Sequence, residues 1–327
     1  MNHPYSIAAR AGTALLLLGA LLTCWGSPAM ASPLKAPERI PAVFIGDRLV
    51  DVAYNLGFVA EGMSLRCGLW PKCKQLRVAS QVLGCPRCIV AKRPNALPDF
   101  IKAKGIKRMI VEKTPRFCIY MPDVSPEKAV PLVKDLDVEI QYVDFGQGVP
   151  SAIRQAAALL GVPERGEKLA ARYEKAYEKA VQAIPQGGLG RRVVIINGTF
   201  QPSTGKTFLR VEAPGGYADQ YILAPLGCEN VGDALYKPGT AVSKGHVMIR
   251  KLKGLVQARP DVIVMTGDAT GVQMALAKAL ADHPELAEVP ALRDQAVYSL
   301  PPYVDSGVIE YPQVFKRWLY ALGGKAR

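Results

Sequence analysis

The sequence predicts an α/β protein with two α/β lobes, their sheets mainly parallel, joined by one long rigid bridging helix. Three observations predict it. Short β-favouring apolar runs alternate with helical stretches in the first part of the chain, and a second such series follows later. Between the two series lies a stretch that is almost entirely helical. The chain has 327 residues, 49 % of them hydrophobic and 21 % charged, enough to bury more than one core. The expected boundaries are a signal peptide at 1–31, a first lobe at 32–150, the bridging helix at 151–185 and a second lobe at 186–327.

Taken in order, Arg10 precedes an apolar run, "TALLLLGALLTCW", followed by "SPAMAS". Ala29 and Ala31 fit the small-x-small pattern of a cleavage site, with Ser32 as the first mature residue. The apolar run is shorter than the roughly 20 residues that span a bilayer. The mature chain is therefore expected to be exported to an oxidising compartment.

"IPAVFIG" (40–46) reads as a strand. In "DRLVDVAYNLG" the residues Leu49, Val52, Ala53 and Leu56 recur at helical spacing and Gly57 stops the helix. "RMIVEK" (108–113) and "VEIQYVDF" (138–145) are further strands. "SPEKAVPLVKDL" is a capped helix that Pro131 should kink or break. Along the bridge, Leu169, Tyr173, Ala176, Tyr177, Ala180 and Ile184 line one face while Glu and Lys fill the other. "PQGGLG" then punctuates the chain. The second series runs "RRVVIIN" (strand), "YADQYILAPLG" (helix), "DVIVMTG" (strand), "VQMALAKALADH" (helix), "AVYSLP" (strand) and "YPQVFKRWLYALG" (helix).

The formal charge of +13 favours an anionic partner. No basic run carries interleaved aromatics, so nucleic acid is not an expected partner. No Ser/His/Asp set or paired carboxylate shares a motif, and no enzyme activity or cofactor is expected. "STGKT" (203–207) is not a phosphate-binding loop, because Phe200 stands where that motif needs Gly. Two rigid lobes with one crossing leave a cleft, where ligand sites favour the carboxyl ends of parallel strands.

Several stretches carry a resemblance to a known family. They are "RIPAVFIGDRLVDVAYNLGFVAEGMS", "RPNALPDFIKAKGIKRMIV", "GVPERGEKLAARYEKAYEKAV", "LAPLGCENVGD" and "ARPDVIVMTG". In this order and spacing the chain resembles the periplasmic substrate-binding proteins that feed ATP-driven (ABC) importers of cobalamin, haem and ferric siderophores. The resemblance covers almost the whole mature chain. It implies a monomeric receptor that captures a small metal chelate between its lobes and docks on a membrane permease. In such relatives each lobe presents a surface acid for docking. Asp99 occupies the matching place in the first lobe. In the second lobe that place holds Lys253, so Glu229 or Asp233 would have to substitute.

The loops expected to line the cleft hold Asp47, Arg48, Trp70, Arg116 and Tyr120 in the first lobe and Phe200, Tyr236 and Tyr303 in the second. Arg116 is the leading single candidate, since a guanidinium fork suits carboxylates, catecholates or propionates. The tyrosines can stack on a planar ligand or donate a phenolic hydrogen bond. Trapping a bare metal ion usually takes several histidines and carboxylates. The mature chain has only His246 and His283.

Cleavage leaves six cysteines: Cys67, Cys73, Cys85, Cys88, Cys118 and Cys228. Three readings of Cys67–Cys88 stay open. One is structural disulfides pinning a loop without regular structure at the rim of the cleft. Another is a metal site made by Cys67, Cys73, Cys85 and Cys88, although only "CPRC" has knuckle spacing. The third is redox work by "CPRC".

Overall fold

The computed structural model describes residues 36–324. The expected signal peptide and Cys24 lie outside them.

The first lobe is built from β1 (Glu38–Ile45), α1 (Asp47–Asn55), β2 (Phe58–Ser64), α2 (Cys73–Ala79), β3 (Gln81–Gly84), α3 (Ala96–Lys104), β4 (Arg108–Lys113) and β5 (Glu139–Asp144). Its five strands pair in the order β3-β2-β1-β4-β5, all parallel. Successive side chains of a strand point to opposite faces. Ala42 and Phe44 accordingly enter one hydrophobic cluster, with α1, while Val43 and Ile45 enter another, with α3. The segment with Pro131 winds as a 3-10 helix, Pro126–Val133, which Ser125 caps by accepting from the Glu127 amide at 3.2 Å.

The cysteine-rich insert differs from expectation. It carries α2 and the edge strand β3, so it is a structured extension of the first sheet rather than an irregular loop.

Two helices follow, α4 (Val149–Leu159) and α5 (Pro163–Gln182). The 20 residues of α5 reach about 30 Å. Leu169 and Ala170 near its start belong to the first-lobe core, and Ala180 near its end belongs to a second-lobe core. The apolar stripe read from the sequence therefore serves two different cores in succession.

The second lobe contains β6 (Arg192–Gln201), β7 (Lys206–Glu212), β8 (Glu229–Asn230), β9 (His246–Ile249), α6 (Leu255–Ala258), β10 (Val262–Gly267), α7 (Ala269–Asp282), α8 (Pro290–Arg293), β11 (Val297–Ser299) and α9 (Tyr311–Gly323). The sheet order is β11-β10-β6-β7-β9, with β8 also on β6. Strands β10, β11 and β8 run parallel to β6 or to each other, but β7 pairs antiparallel with β6 and β9. The reason is local: the Gln201–Lys206 connection is a tight turn with Gly205 at φ 65°, which reverses the chain. "STGKT" is that hairpin turn.

After β11 the chain leaves the second sheet and reaches across. Val308 joins the first-lobe core, and the Ile309 amide donates to Asp51 Oδ2 at 2.9 Å. Among the described residues no helix is long and apolar enough to cross a membrane.

Candidate functional site

The expected binding residues separate into three groups. Asp47 and Arg48, at the carboxyl end of β1, are buried in an ion network between the lobes. Trp70 is buried in the first-lobe core. Arg116 is exposed, and its carbonyl accepts from Arg48 Nη2 at 3.0 Å. Phe200 lies exposed on the β6–β7 hairpin, and Tyr236 packs beside a second-lobe core. Only Tyr120 and Tyr303 of the eight line the cavity between the lobes.

The network centres on Asp305 of the crossing segment. It accepts from Arg48 Nη2 and, at 2.9 Å, from Arg66 Nη2. Arg66 also donates to Asp47 at 2.7 Å and to the Tyr217 hydroxyl at 2.8 Å, and its guanidinium stacks 4.2 Å from the Phe117 ring centre. Glu112 sits at the end of β4 and accepts from the Arg48 amide at 3.0 Å. Burial raises Glu112 to about 7, against the pull of Arg48. With Glu112 neutral, two arginines face two aspartates, so the cluster is balanced. Such pairing is the condition under which buried charges persist. Asp47 and Arg48 thus hold the lobes together in this conformation. Sequence reasoning had no means to place Asp305 against them, as it lies 257 residues from Arg48.

The cavity between the lobes measures about 210 Å³. Leu69 and Tyr120 enter it from the first lobe, and Arg210, His246 and Tyr303 from the second. Strand alternation explains the second-lobe wall. Arg210 pairs with Asn197 on β6 and Met248 on β9, and Glu212 with His246, so all five side chains share one face of the sheet. Leu209 and Val211 face the core. A two-residue turn places Lys244 at the rim. Ser243 and His246 exchange backbone hydrogen bonds at 2.9 and 3.0 Å, with Lys244 at φ 49° and Gly245 at φ 76°. A Cβ at Gly245 would stand 2.1 Å from the Tyr120 hydroxyl, so glycine there lets the first-lobe tyrosine close over the turn.

The electrostatics of this cavity favour an anion. Arg210 donates from Nη2 to Asn197 Oδ1 at 2.9 Å and to Thr199 at 3.0 Å, while its buried Nε has no partner. Burial raises Glu212 to about 8, so at neutral pH its carboxyl is mostly protonated and does not cancel Arg210. Burial lowers the His246 pKa, as does Arg210, so its imidazole is neutral. Its Nδ1 lies 3.0 Å from the Lys244 carbonyl, which can only accept. Nδ1 therefore carries the proton and Nε2 keeps a free lone pair, the form that ligates metals. Arg210 and Lys244 are not among the expected binding residues, and His246, able to line the cleft, reads in the sequence as a lone structural histidine. The sign that marks Arg210 and His246 is the alternation along the two antiparallel strands.

A second cavity of about 420 Å³ adjoins the first, sharing Gly68, Leu69, Tyr120 and Lys244. Cys67, Cys85, Cys88 and Met121 line it. Cys67 and Cys73 form a disulfide, which corrects the expectation of a possible four-cysteine metal site: two of its four thiols are consumed. The staple reading holds for this pair, while Cys85, Cys88, Cys118 and Cys228 are free thiols. Cys85 and Cys88 lie with their sulfurs 3.0 Å apart. Burial raises the Cys85 thiol, whereas its hydrogen bond to Cys85 lowers Cys88. Among the described residues no group of three or more His, Cys, Asp or Glu is arranged to hold a metal ion.

A larger concavity, about 540 Å³, lies elsewhere, along β3 and α3, lined by Arg39, Phe100 and Lys104 among others. Only first-lobe side chains form it, so it is an open groove on one lobe rather than a cleft. Asp99 is exposed in the first turn of α3. Glu229 is exposed and paired with Arg192 at 3.3 Å, and Lys253 is paired with Glu285 at 3.8 Å.

Solved structures share this architecture. The periplasmic heme-binding protein RhuT from Roseiflexus sp. RS-1, in apo form, superimposes with a TM-score of 0.53 at 18% identity, covering 89% of this chain and 100% of its own. The periplasmic heme-binding protein BhuT, in complex with two hemes, gives 0.52 at 19%, covering 88% and 98%. A periplasmic heme binding protein from Pseudomonas aeruginosa gives 0.50 at 16%, covering 86% and 91%. At these identities the likeness is one of fold. No curated protein matches the chain by sequence. The profile of the periplasmic binding protein family matches residues 131–304, which is more than half of the chain. This two-lobed chain, with its cavity between the lobes, belongs to the periplasmic binding protein family.

Proposed function

We propose that this protein is an exported, monomeric receptor that captures an anionic metal chelate between its lobes and delivers it to an ABC importer. Of the three chelate classes implied by the sequence resemblance, haem is the one the site favours. The observation that carries this reading is the wall formed by Arg210, His246, Tyr120 and Tyr303 around one cavity. Arg210 and Lys244 supply cations for carboxylates, His246 offers a free Nε2 to an iron with an open axial position, and the tyrosines offer flat faces. The similar structures described above are of periplasmic heme-binding proteins, in keeping with this choice.

The cavity alone is smaller than the roughly 300–1,000 Å³ usual for ligand sites. A haem-sized ligand would therefore also occupy the adjoining cavity, with Tyr120 moving aside. The helix α5 and the Asp305 network restrict the lobes to a small adjustment rather than a wide swing. Asp99 on the first lobe, and Glu229 on the second, would face the permease.

Titration of the metal-free protein with haem, ferric siderophores and a corrinoid, followed by absorbance and calorimetry, tests the reading. Saturable haem binding, weakened in His246→Ala and Arg210→Ala, supports it. A folded protein that ignores haem overturns the haem assignment, and one that ignores all three overturns the chelate reading.

A further inference from the structure

We propose that Cys85, Cys88 and Met121 form a sulfur-donor site for a soft monovalent metal ion of the Cu(I) type, in the wall of the second cavity. The site goes beyond the chelate reading and stands without it.

Four observations carry the inference. First, the two thiols converge. The Cys88 amide donates to the Cys85 carbonyl at 2.7 Å, which puts both side chains on one side of a helical turn, their sulfurs 3.0 Å apart. Second, a third sulfur is tethered to the same motif. Arg87, inside the Cys-Pro-Arg-Cys stretch, donates from Nη1 to Met121 Sδ at 3.4 Å. All three sulfur residues line the cavity. Third, the other wall residues include Arg77, Arg93 and Lys244 but no carboxylate and no histidine. Fourth, the turn before the motif is built for close approach. Gly84 has φ 123°, and a Cβ there would lie 2.7 Å from the Arg93 guanidinium and 3.2 Å from Cys88 Cβ. Only glycine lets Arg93 sit against the thiol pair.

The donor set selects the ion. Thiolate and thioether ligands prefer soft metals, whereas calcium and magnesium need oxygen. Structural zinc takes four nitrogen or sulfur ligands, and the Cys67–Cys73 disulfide removes the sulfurs that would complete such a set. Binding exchanges protons for metal without electron transfer. Each thiol releases its proton, two sulfur–metal bonds form, and the thioether lone pair completes the coordination. Two thiolates and one monovalent cation carry one net negative charge, which the surrounding arginines offset.

The test uses full-length mature protein, reduced with a phosphine, its free thiols counted, and titrated without oxygen against Cu(I) held by a chromophoric competitor. A single equivalent should pass to the protein with a near-ultraviolet sulfur-to-metal band. Cys85→Ser/Cys88→Ser should abolish it, Met121→Leu should weaken it by about tenfold or more, and Cys228→Ser should leave it unchanged. If the double variant melts prematurely, Cys88→Ser and Met121→Leu give the same reading. Folded reduced protein that leaves all the copper with the competitor overturns the proposal. So does uptake that survives loss of both thiols, or a Cys85–Cys88 disulfide that persists under reductant in the folded protein. Haem titration of His246→Ala and Arg210→Ala, whose side chains line the first cavity and not the second, tests the chelate reading with the sulfurs intact, so the two proposals fail independently.

Discussion

Arg66 on the first lobe and Asp305 on the second are joined at 2.9 Å, with side chains only 2% and 4% exposed. The same aspartate takes up Arg48, so one carboxylate bridges two buried guanidinium groups across the lobe boundary. Asp305→Ala leaves both cations without their shared partner. Equilibrium unfolding in urea should show a loss of about 3–5 kcal/mol, with a smaller loss for Asp305→Asn. An unchanged midpoint for Asp305→Ala would show that the network contributes nothing to holding the lobes.

Stability should fall as pH rises from mildly acidic to mildly alkaline. Below pH 4.5, the ordinary value for a glutamate, Glu112 and Glu212 are protonated whether the chain is folded or not. Above it the unfolded chain releases these protons while the fold retains them, until about 7 for Glu112 and about 8 for Glu212. Over that window the folded state binds more protons, so unfolding becomes easier with rising pH, by on the order of a few kcal/mol in all. Thermal melts of the parent and of Glu212→Gln across this range check it. The glutamine variant should lose the upper part of the slope.

Arg210 and Arg116 should differ sharply in ligand titrations. Arg210 lies in the cavity with an orphaned Nε, whereas Arg116 is exposed outside it. Replacing Arg210 with Ala should cost about 1.5–3 kcal/mol of haem binding, the usual worth of a hydrogen bond to a charged group. Arg116→Ala should bind as the parent does. The reverse ranking would move the site.

Gly46 connects β1 to α1 at φ 122°, and a Cβ there would stand 2.4 Å from Glu112 Cβ. Gly46→Ala therefore combines backbone strain with a clash against a fully buried strand residue. A loss above about 2 kcal/mol in urea unfolding is expected, together with a disturbed helix start, since Glu112 accepts the Arg48 amide.

Asp99 is exposed and far from the buried network, so its proposed role concerns the permease alone. Asp99→Lys should bind ligand normally in solution. In vesicles carrying the importer it should fail to stimulate ATP hydrolysis and uptake. Normal stimulation by the variant would remove this acid from the docking surface.

Much of the fold was legible because it is encoded by local periodicity. The stripe of Leu169, Tyr173 and Ala180 announces α5, and the apolar runs around Phe44 and Ile110 announce buried parallel strands. The antiparallel half of the second sheet was less legible, because a strand run does not state its direction, and the reversal is made by the Gln201–Lys206 turn with Gly205 at φ 65°. Of the residues expected to bind, Tyr120 and Tyr303 line the cavity between the lobes, and both sit in loops between elements. Asp47 and Arg48 were singled out for their position after β1, and the structure gives them Arg66 and Asp305 as partners.

The chain's order of residues determined by itself that there would be two α/β series, a stiff amphipathic helix between them and an excess of positive charge, since each depends only on neighbours within a few residues. Which charges are spent and which are left for a ligand was decided by the tertiary structure. Asp305 reaches back 239 residues to Arg66, while Arg210 meets no carboxylate among the described residues. Pairing between charges so far apart in sequence is set by how two lobes pack, because desolvation makes a buried charge seek whichever partner the fold delivers.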